Sequence, residues 1–540
     1  MVQNMTEQDF LYNYRGRREI FTNEAEITED NVMYVLQEVM PYFEENAAQC
    51  EYLINYDAGI QPLRRKTEKT YRPDIDFQCV TNVANEVTEF KLGYQWCPMQ
   101  LVQRGVKDSG GNNESDAITL LNECYQAEGI DGKTQELGRF VEICGIGYTF
   151  VDVKTDWVDG DSYFEVEVFD PRTTFVVRSN RYADNRIVMG VTFRQDKVGN
   201  RWFTCFTKDR RFEVENLNFI KNGEAVVKWN PMQHNGEANP LGMIPIIEWI
   251  RSYDRMGCFE RQISECDALN LLNSDFLNDV DQNTQAVWHT NDVDFPDVVS
   301  ENDDGTSSTS VRKPSSGEWV STYTSPDGRT PFIKPLTLDY DYKGILDNIT
   351  IKHTSILQKC NVPQRNDNSG GSTGVAMSDA TGWSAAEAAA QKQQAIMESC
   401  KMEELKVVLK AINLCPNTPS DSPLLKLRYM DVKPNIKRQK TYEMITKANA
   451  FATYVSHGIN GLHALRVTGA FDDINQVWED SKDGIEKYQK SVYDPQRTEV
   501  VDEKKDVNFS ESPVNQIANS PVIDGMSKED PNETPKDDAK

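Results

Sequence analysis

One stretch of this chain has the composition of a phosphate-binding loop. Residues 369–374 read SGGSTG and come directly before a predicted helix, where free backbone N–H groups attract anions. A phosphate-binding loop of this kind also needs a Lys followed by Ser or Thr, and it follows a buried strand. Both features are missing here, so the sequence favours a polar connecting loop over a nucleotide site.

The sequence does not indicate a metal site either. The acids Glu301, Asp303 and Asp304 precede Gly305, but the alternating oxygen ligands and the final Glu of a calcium loop are absent. No histidine has a Cys or carboxylate at metal-ligand spacing, and GxSxG and HExxH motifs are also absent. We therefore predict no cofactor, no metal and no enzymatic activity. The histidines are His234, His289, His353, His457 and His463.

The overall charge argues against a protein that grips nucleic acid. The chain has 58 Lys and Arg against 85 Asp and Glu, a formal net charge of −27. Such a surface repels phosphates, although nucleic acid could still slide past it. The 11 cysteines are scattered without a CxxC pair, which indicates reduced thiols in a cytosolic setting. No signal or membrane-spanning pattern is found, so we expect no membrane partner.

The most informative segment runs from Arg255 to His289 and is predicted to form a long helix with an acidic surface. Leu269, Leu272 and Phe276 recur at helical spacing and continue to Val280, as expected for a narrow stripe that packs on a neighbouring helix. Acids outnumber bases by four, although an ordinary solvated face would have the same composition. The charged residues are Glu260, Glu265, Asp267, Asp275, Asp279 and Asp281 against Arg255 and Arg261.

The other elements alternate irregularly, which predicts the α+β class. From Tyr148 the period changes to two over several short runs, typical of a meandering antiparallel sheet, and 424–430 is predicted as one more strand. Residues 291–335 should be loops with short strands. From Arg497 the chain is Pro-rich, charged and poor in aromatics, as expected for a disordered tail. The remaining predicted helices are 28–56, 80–94, 137–143, 343–360, 374–414, 440–458, 461–469 and 474–489.

Several short motifs in this order resemble those of tailed-bacteriophage portal proteins. The run at residues 241–248, LGMIPIIE, is similar to the "G.iPiie" before the family's stem helix. Residues 52–61 resemble "YY.G.Q", and Asn82 with Gly93-Tyr94 resembles "N....iv....gY..G". Residues 145–148 with Asp170-Pro171 resemble "GkaY......dP". Two further matches are residues 373–377 with "SG.Al" and residues 454–479 with the crown's "iS.......vdd...E".

The resemblance implies a portal-like elongated subunit with a β-containing wing, helical stem, small clip, long wing helix and helical crown. The expected regions are the wing (1–250), first stem helix (251–289), clip (290–337), second stem helix (338–362) and tunnel loop (363–373). They continue as the long wing helix and return strand (374–432), the crown (433–496) and the tail (497–540).

The resemblance further implies a virion protein that forms a dodecamer at one capsid vertex, assembled in the host cytoplasm. Double-stranded DNA would pass through its channel during packaging and ejection, past the stem acids Glu265, Asp267, Asp275, Asp279 and Asp281. The clip bases Arg312, Lys313, Arg329 and Lys334 would dock the terminase large subunit or a head-tail adaptor, although loop solubility explains them equally well. Major capsid and scaffolding proteins are further expected partners. The tunnel loop would present Arg365, Asn366, Asp367, Asn368, Gly370 and Gly371.

Two other functions stay open from the sequence. A channel-less virion scaffold would oligomerise without a central hole, and a cytosolic enzyme would need an unrecognised site. Images of purified rings distinguish the first alternative, and turnover by a purified chain distinguishes the second.

Overall fold

The architecture is α+β, as predicted, in a computed structural model that describes most of the chain. The described residues are 16–63, 76–104, 115–181, 185–221, 224–231, 236–284, 288–291, 297–301, 307–311, 332–335, 341–364, 382–436, 438, 441–468 and 474–493.

Ten α-helices lie within the described residues. They are α1 (Val32–Asp57), α2 (Val83–Gln95), α3 (Ser115–Ala127), α4 (Ile130–Cys144), α5 (Ile263–Thr284), α6 (Tyr342–Lys359), α7 (Trp383–Leu414), α8 (Thr441–Ser456), α9 (Gly461–Thr468) and α10 (Ile474–Tyr493).

The strands form two principal sheets and three two-stranded pairs. The larger sheet has the order β1-β5-β6-β7-β8-β10, with β9 also paired to β8, and the smaller has the order β11-β3-β4. The strands predicted as one meander are therefore divided between two sheets. The bounds are β1 (Ile20–Thr22), β2 (Met99–Gln103), β3 (Ile146–Val153), β4 (Phe164–Phe169), β5 (Thr174–Ser179), β6 (Ile187–Gln195), β7 (Arg201–Phe206), β8 (Arg210–Lys221), β9 (Glu224–Pro231), β10 (Glu237–Ala238), β11 (Ile246–Ile250), β12 (Trp288–Asn291), β13 (Asp297–Glu301), β14 (Ser307–Val311), β15 (Phe332–Pro335) and β16 (Val432–Ile436).

Each of the two principal sheets shares a core with helices whose apolar residues recur at helical spacing. Val35, Leu36 and Val39 of α1 are fully buried and belong to the same core as Val177 and Val191 of the larger sheet. The smaller sheet shares its core with α4 and α7. A third core, which contains α2 and the first turns of α5, includes the last turn of α6.

The predicted strand at 424–430 is wrong. Two 3-10 turns, Pro423–Lys426 and Tyr429–Asp431, occupy it, and the strand begins only at Val432. Leu424 and Leu427 are both buried. They are three residues apart, which suits the three-residue repeat of a 3-10 helix and not the two-residue repeat of a strand.

The predicted bounds of the acidic helix are also wrong at both ends. The α-helix covers Ile263–Thr284 after a short 3-10 turn, Glu260–Gln262, while His289 lies in β12. Arg255 has φ +54, in the left-handed region that a helix interior does not contain. The charge count over Arg255 to His289 therefore mixed helix residues with residues of the connection before the helix. This connection between β11 and α5, residues 251–262, is here called the joint together with the segments that pack on it.

The chain divides into two compact units after Gln439. Strand β16 (Val432–Ile436) pairs with β2 inside the first unit. The second unit contains α8, α9 and α10, and Gly461 makes room for Trp478, whose ring would lie 2.7 Å from an added Cβ. Among the described residues, every helix is too short or too polar to cross a bilayer.

Candidate functional site

Helix α5, which contains the acidic segment, packs antiparallel to α6, and the two helices are here called the hairpin. Near the start of α5, Glu265 forms an ion pair with Lys359 at the end of α6. Farther along α5, the ring of Phe276 packs edge-on against Tyr342 at the start of α6, with centroids 6.1 Å apart. The strands that follow α5 and precede α6, β12 and β15, are also antiparallel partners.

The predicted apolar stripe does not lie on one continuous interface. Leu269 is buried in the core of the first unit together with Ile356 of α6, whereas Leu272, Phe276, Ile345 and Ile349 are half-buried. Apolar side chains that remain exposed are Leu277 (41%), Val280 (37%), Leu346 (49%) and Ile351 (63%). The hairpin therefore uses part of its apolar surface internally and leaves another part uncovered.

The carboxylates of α5 have no basic residue within the same helix to balance them. Two of the five lie near the start and contact the rest of the subunit: Glu265 through Lys359, and Asp267 through Tyr56. The Tyr56 hydroxyl donates to Asp267 at 2.7 Å, and burial raises the pKa of Tyr56, so the donor keeps its proton. Asp275 is exposed, and Asp279 and Asp281 are half-exposed in the last turns.

Glu260, which was counted with the acidic helix, is buried in the joint before it. Glu260 pairs with Arg17 at 2.5 Å, and neither side chain has any exposed surface. Burial raises the pKa of Glu260 and lowers that of Arg17, because both charged forms lose their hydration. The amide of Gly257, which donates to Glu260, and the charge of Arg261 act in the opposite direction and lower the pKa of Glu260.

Glu248 in the middle of β11 is the second charged centre of the joint. It accepts 2.8 Å hydrogen bonds from both terminal nitrogens of Arg255 and one of 2.6 Å from Arg178. Burial alone would raise the pKa of Glu248, but the two guanidinium groups outweigh it and lower the pKa to about 2. The carboxylate is therefore charged at neutral pH and holds β5 against the joint.

Glycines let the backbone segments of the joint approach closely. Gly145 has φ +77, and a Cβ there would lie 2.4 Å from the carbonyl oxygen of Arg255. The amide of Arg17 donates to that same oxygen at 3.2 Å. The Gly145 of the resembling motif is thus required by packing, and the N-terminal segment is part of the joint.

A row of neutral polar side chains on α5 binds an extended segment through its main chain. The amides of Phe77, Cys79 and Thr81 donate at 2.7, 3.0 and 2.9 Å. The acceptors are side-chain oxygens of Asn278, Ser274 and Asn270, each 1% exposed. Sequence reasoning missed this row, although the repeat of four between its members was a usable signal.

The extended segment is closed at one end by a clasp of amide side chains. Gln61 donates to Asn82 at 2.8 Å, and Asn270 donates to Gln61 at 2.6 Å. Asn82 in turn donates to the carbonyl of Asp57 at 2.9 Å and has φ +50, a conformation that Asn tolerates better than most residues. Gln61 and Asn82, which belong to two separate resembling motifs, are therefore hydrogen-bonded to each other.

Most of the predicted docking residues lie outside the described residues. Lys334 is exposed in β15, with its ammonium 5.6 Å from the centroid of the Phe332 ring. No cluster of His, Cys, Asp and Glu suited to a metal occurs where the structure is described. Outside it are Arg312, Lys313, Arg329, Arg365, Asn366, Asp367, Asn368, Gly370, Gly371 and the tail 497–540.

Comparisons with known proteins add a family assignment. Residues 37–465 match the family described as "Phage portal protein, SPP1 Gp6-like". No curated protein matches the chain.

Three solved structures with similar chains are all of gene transfer agent (GTA) particles. For the "Virion of native gene transfer agent (GTA) particle" the identity is 10%, the coverage 78% of this chain and 93% of that chain, and the TM-score 0.38. For the "Neck of native GTA particle computed with C12 symmetry" the identity is 10%, the coverage 77% of this chain and 98% of that chain, and the TM-score 0.39. For the "Neck of empty GTA particle computed with C6 symmetry" the identity is 10%, the coverage 72% of this chain and 89% of that chain, and the TM-score 0.36. At these scores the assignment rests on the family match alone.

Proposed function

The chain belongs to the SPP1 Gp6-like phage portal protein family, and from this premise we propose that it forms a ring-shaped channel at one capsid vertex for packaging and ejecting double-stranded DNA. Portal proteins are structural and non-enzymatic components of the phage virion, which agrees with the absence of catalytic motifs in the sequence. Assembly takes place in the host cytoplasm, and the ring also joins the head to the tail.

The observation that carries the proposal is the composition of α5, which has five carboxylates and no base. We assign Asp275, Asp279 and Asp281 to the channel wall, with Glu265 and Asp267 nearer the joint. A ring repeats each charge once per subunit, so the wall repels phosphates at contact distance. It thereby prevents the tight, counterion-releasing grip that would stall DNA.

The proposed ring is a dodecamer in which the uncovered apolar residues of α5 and α6 contact the next subunit. Among the described residues, Leu277 is the most exposed large apolar residue of α5, and Ile351 is that of α6. Covering them gives association its hydrophobic contribution. Leu277→Asp is expected to give monomers or broken rings by light scattering. Ser264→Asp adds the same charge to an exposed position of the same helix and should leave rings intact.

The remaining parts follow the family order. Lys334, with Arg312, Lys313 and Arg329, is assigned to a clip that docks the terminase large subunit and then a head-tail adaptor. Residues 363–373, including Arg365, Asn366, Asp367, Asn368, Gly370 and Gly371, are assigned to a tunnel loop facing the DNA. Replacing both glycines by Pro should reduce the DNA packaged per capsid without loss of rings. Major capsid and scaffolding proteins surround the ring.

The decisive experiment reverses one charge of the channel wall. Asp275 is exposed, so Asp275→Lys should leave the subunit folded while giving the wall a cation that binds phosphate. We expect less DNA packaged per capsid and a stronger, salt-sensitive affinity of rings for duplex DNA. Asp275→Asn removes the acid without adding a base and should package close to the wild-type amount. Unchanged packaging with Asp275→Lys would place α5 away from the DNA.

A channel-less scaffold is the remaining alternative, and negative-stain images of purified rings decide it. A central hole supports the portal, and its absence would overturn the proposal.

A further inference from the structure

The larger sheet borders a cleft on the face opposite α1. Side chains alternate between the two faces of a strand, and Phe193, Phe203 and Phe212 belong to the core shared with α1. Thr192 and Thr204, which are paired across β6 and β7, therefore lie on the other face. Residues of this face and of strands β3 and β4 together line a cleft of about 460 Å³.

The walls of the cleft are largely aromatic. Phe150 stacks on Phe169 with ring centroids 5.0 Å apart, and it also contacts Phe206 at 5.4 Å. Trp202 lines the same cleft and is half-buried, and its indole N–H makes no hydrogen bond among the described residues. Clefts of about 300–1,000 Å³ with apolar walls and a few polar groups are typical binding sites. This cleft suits a large apolar side chain that comes with a hydrogen-bond acceptor.

The charged residues of the cleft favour an acidic occupant. Arg194 is exposed and forms no ion pair among the described residues. Arg211 donates to Glu213 at 2.7 Å through a terminal nitrogen, while its Nε is buried and has no acceptor in the described part of the chain. A buried N–H without an acceptor is costly, so an occupant that brings an acceptor is favoured. Two arginines against one glutamate also make the lining net positive, in a chain of net charge −27.

Residues 9–14, with the sequence DFLYNY, have a composition that matches the cleft. Phe10, Leu11 and Tyr12 are large apolar side chains, and Asp9 is a carboxylate directly beside them. The main chain of any peptide segment adds carbonyl acceptors. Residues 1–15 lie outside the described residues, so their partners are open to proposal.

The described chain begins close to the cleft. Directly after Gly16, the segment is held on α1, where the main chain of Arg18 exchanges two hydrogen bonds with the side chain of Asn46. Five residues farther along α1, a rise of about 7.5 Å, Glu51 pairs with Arg172 at 2.5 Å. Arg172 lies in the turn that follows β4, the strand whose last residue lines the cleft.

We propose that residues 9–14 occupy the cleft of their own subunit, with Phe10 among the aromatic walls and Asp9 beside Arg194. Gly16 follows Phe10 by six residues, and six residues of extended chain span about 20 Å. The carbonyls of the segment supply acceptors for the N–H groups of the cleft. The interaction lies within a single subunit, so it goes beyond the channel function and does not depend on it.

Binding of a separate peptide tests this self-occupancy. A fluorescein-labelled peptide of residues 5–14 is titrated against the full chain and against a variant that lacks residues 1–15. The truncated variant should bind the peptide about tenfold more tightly, because in the full chain the tethered segment competes at an effective concentration on the order of millimolar. A peptide with Phe10→Ser and Leu11→Ser is the control and should bind neither chain.

The same two substitutions in the full chain should make it bind the wild-type peptide as the truncated variant does, and this chain replaces the truncated one if truncation impairs folding. Equal affinity of the wild-type peptide for the full and the truncated chain would leave the cleft to a segment of another protein and overturn the proposal. Absence of binding to both altered chains would overturn it as well.

Substitutions in the truncated variant locate the bound peptide. Arg194→Glu should weaken peptide binding about tenfold, the effect of losing a charged hydrogen bond. Lys197→Glu makes the same charge change at an exposed position of the β6–β7 loop and should leave the affinity within about twofold. With unlabelled peptide, Trp202→Phe should remove the change in tryptophan fluorescence on binding. Equal losses from Arg194→Glu and Lys197→Glu would show that net charge, and not the cleft, binds the peptide.

Discussion

The joint before α5 and the segment that lies along α5, residues 76–82, here called the strap, both cover buried polar groups. The groups of the two regions differ in charge. In the joint, the side chains of Arg17 and Glu260 are ionisable and fully buried, and the side chain of Glu248 beside Arg255 is 4% exposed. Beneath the strap the buried groups are the neutral side chains of Asn270, Ser274 and Asn278. The difference matters because a buried charge that loses its partner retains a desolvation cost that a hydrated amide does not.

The two regions therefore have different mechanical characters within one subunit. The joint holds the start of the acidic helix in one position, because breaking its ion pairs would expose or isolate a charge. The strap holds the side of that helix with contacts that water can replace. Substitutions at matched positions measure this difference.

The largest effect is expected at the joint. Arg17→Ala leaves Glu260 buried without its cation and should lower the free energy of unfolding by about 3–5 kcal/mol. Urea unfolding followed by Trp fluorescence measures this change. Arg18→Ala is the matched control, since the side chains of the Arg18–Glu45 pair are 51% and 25% exposed and solvent-accessible pairs contribute about 0–1 kcal/mol. Equal effects of the two substitutions would show that the buried Arg17–Glu260 pair does not stabilise the joint more than an accessible pair does.

The second prediction concerns acid stability through Glu248. Its folded pKa of about 2 lies below the ordinary value of 4.5, so its stabilisation is present above about pH 4.5 and is lost as the pH falls towards 2. Glu248→Gln should be less stable than wild type by about 3 kcal/mol at pH 7. The difference should shrink as the pH falls through this window, measured by urea unfolding at each pH. A difference independent of pH would show that the carboxylate charge is not the cause.

A smaller effect is expected beneath the strap. Ser274→Ala removes the middle of the three α5 side chains that bond to the strap. It should lower the free energy of unfolding by about 1 kcal/mol, well below the effect of Arg17→Ala. Ser264→Ala, at an exposed position of α5, serves as the control and should be close to neutral. A loss from Ser274→Ala as large as that from Arg17→Ala would remove the contrast between the regions.

The smallest effect is expected on the strap itself. Because both main-chain groups of Phe77 bond to Asn278 and 51% of the residue is exposed, Phe77→Ala should change the free energy of unfolding by less than about 0.5 kcal/mol. Thermal unfolding suffices to detect a larger change. Such a change would mean that the strap is held by side-chain packing.

Local patterns in the sequence were enough to predict most elements of the fold. The period of α1, the helices α6 and α8 to α10, and the change to alternating strands after Tyr148 each depend on residues a few positions apart. Composition alone also indicated an acidic helix, and ordered motifs indicated the portal family that the comparison confirms. These features depend on residues that are close together in the sequence, so sequence patterns alone predict them.

Tertiary structure decided which charges belong to the surface and which to the interior. Arg255 and Glu260 are charges like any others in the sequence, yet their partners are Glu248 and Arg17, the latter 243 residues away. Phe77 meets Asn278 over 201 residues, and no periodicity links the two. Hydrophobic spacing reports which face of an element is covered but not which distant segment covers it. That choice depends on packing and on the pairing of buried polar groups throughout the folded chain.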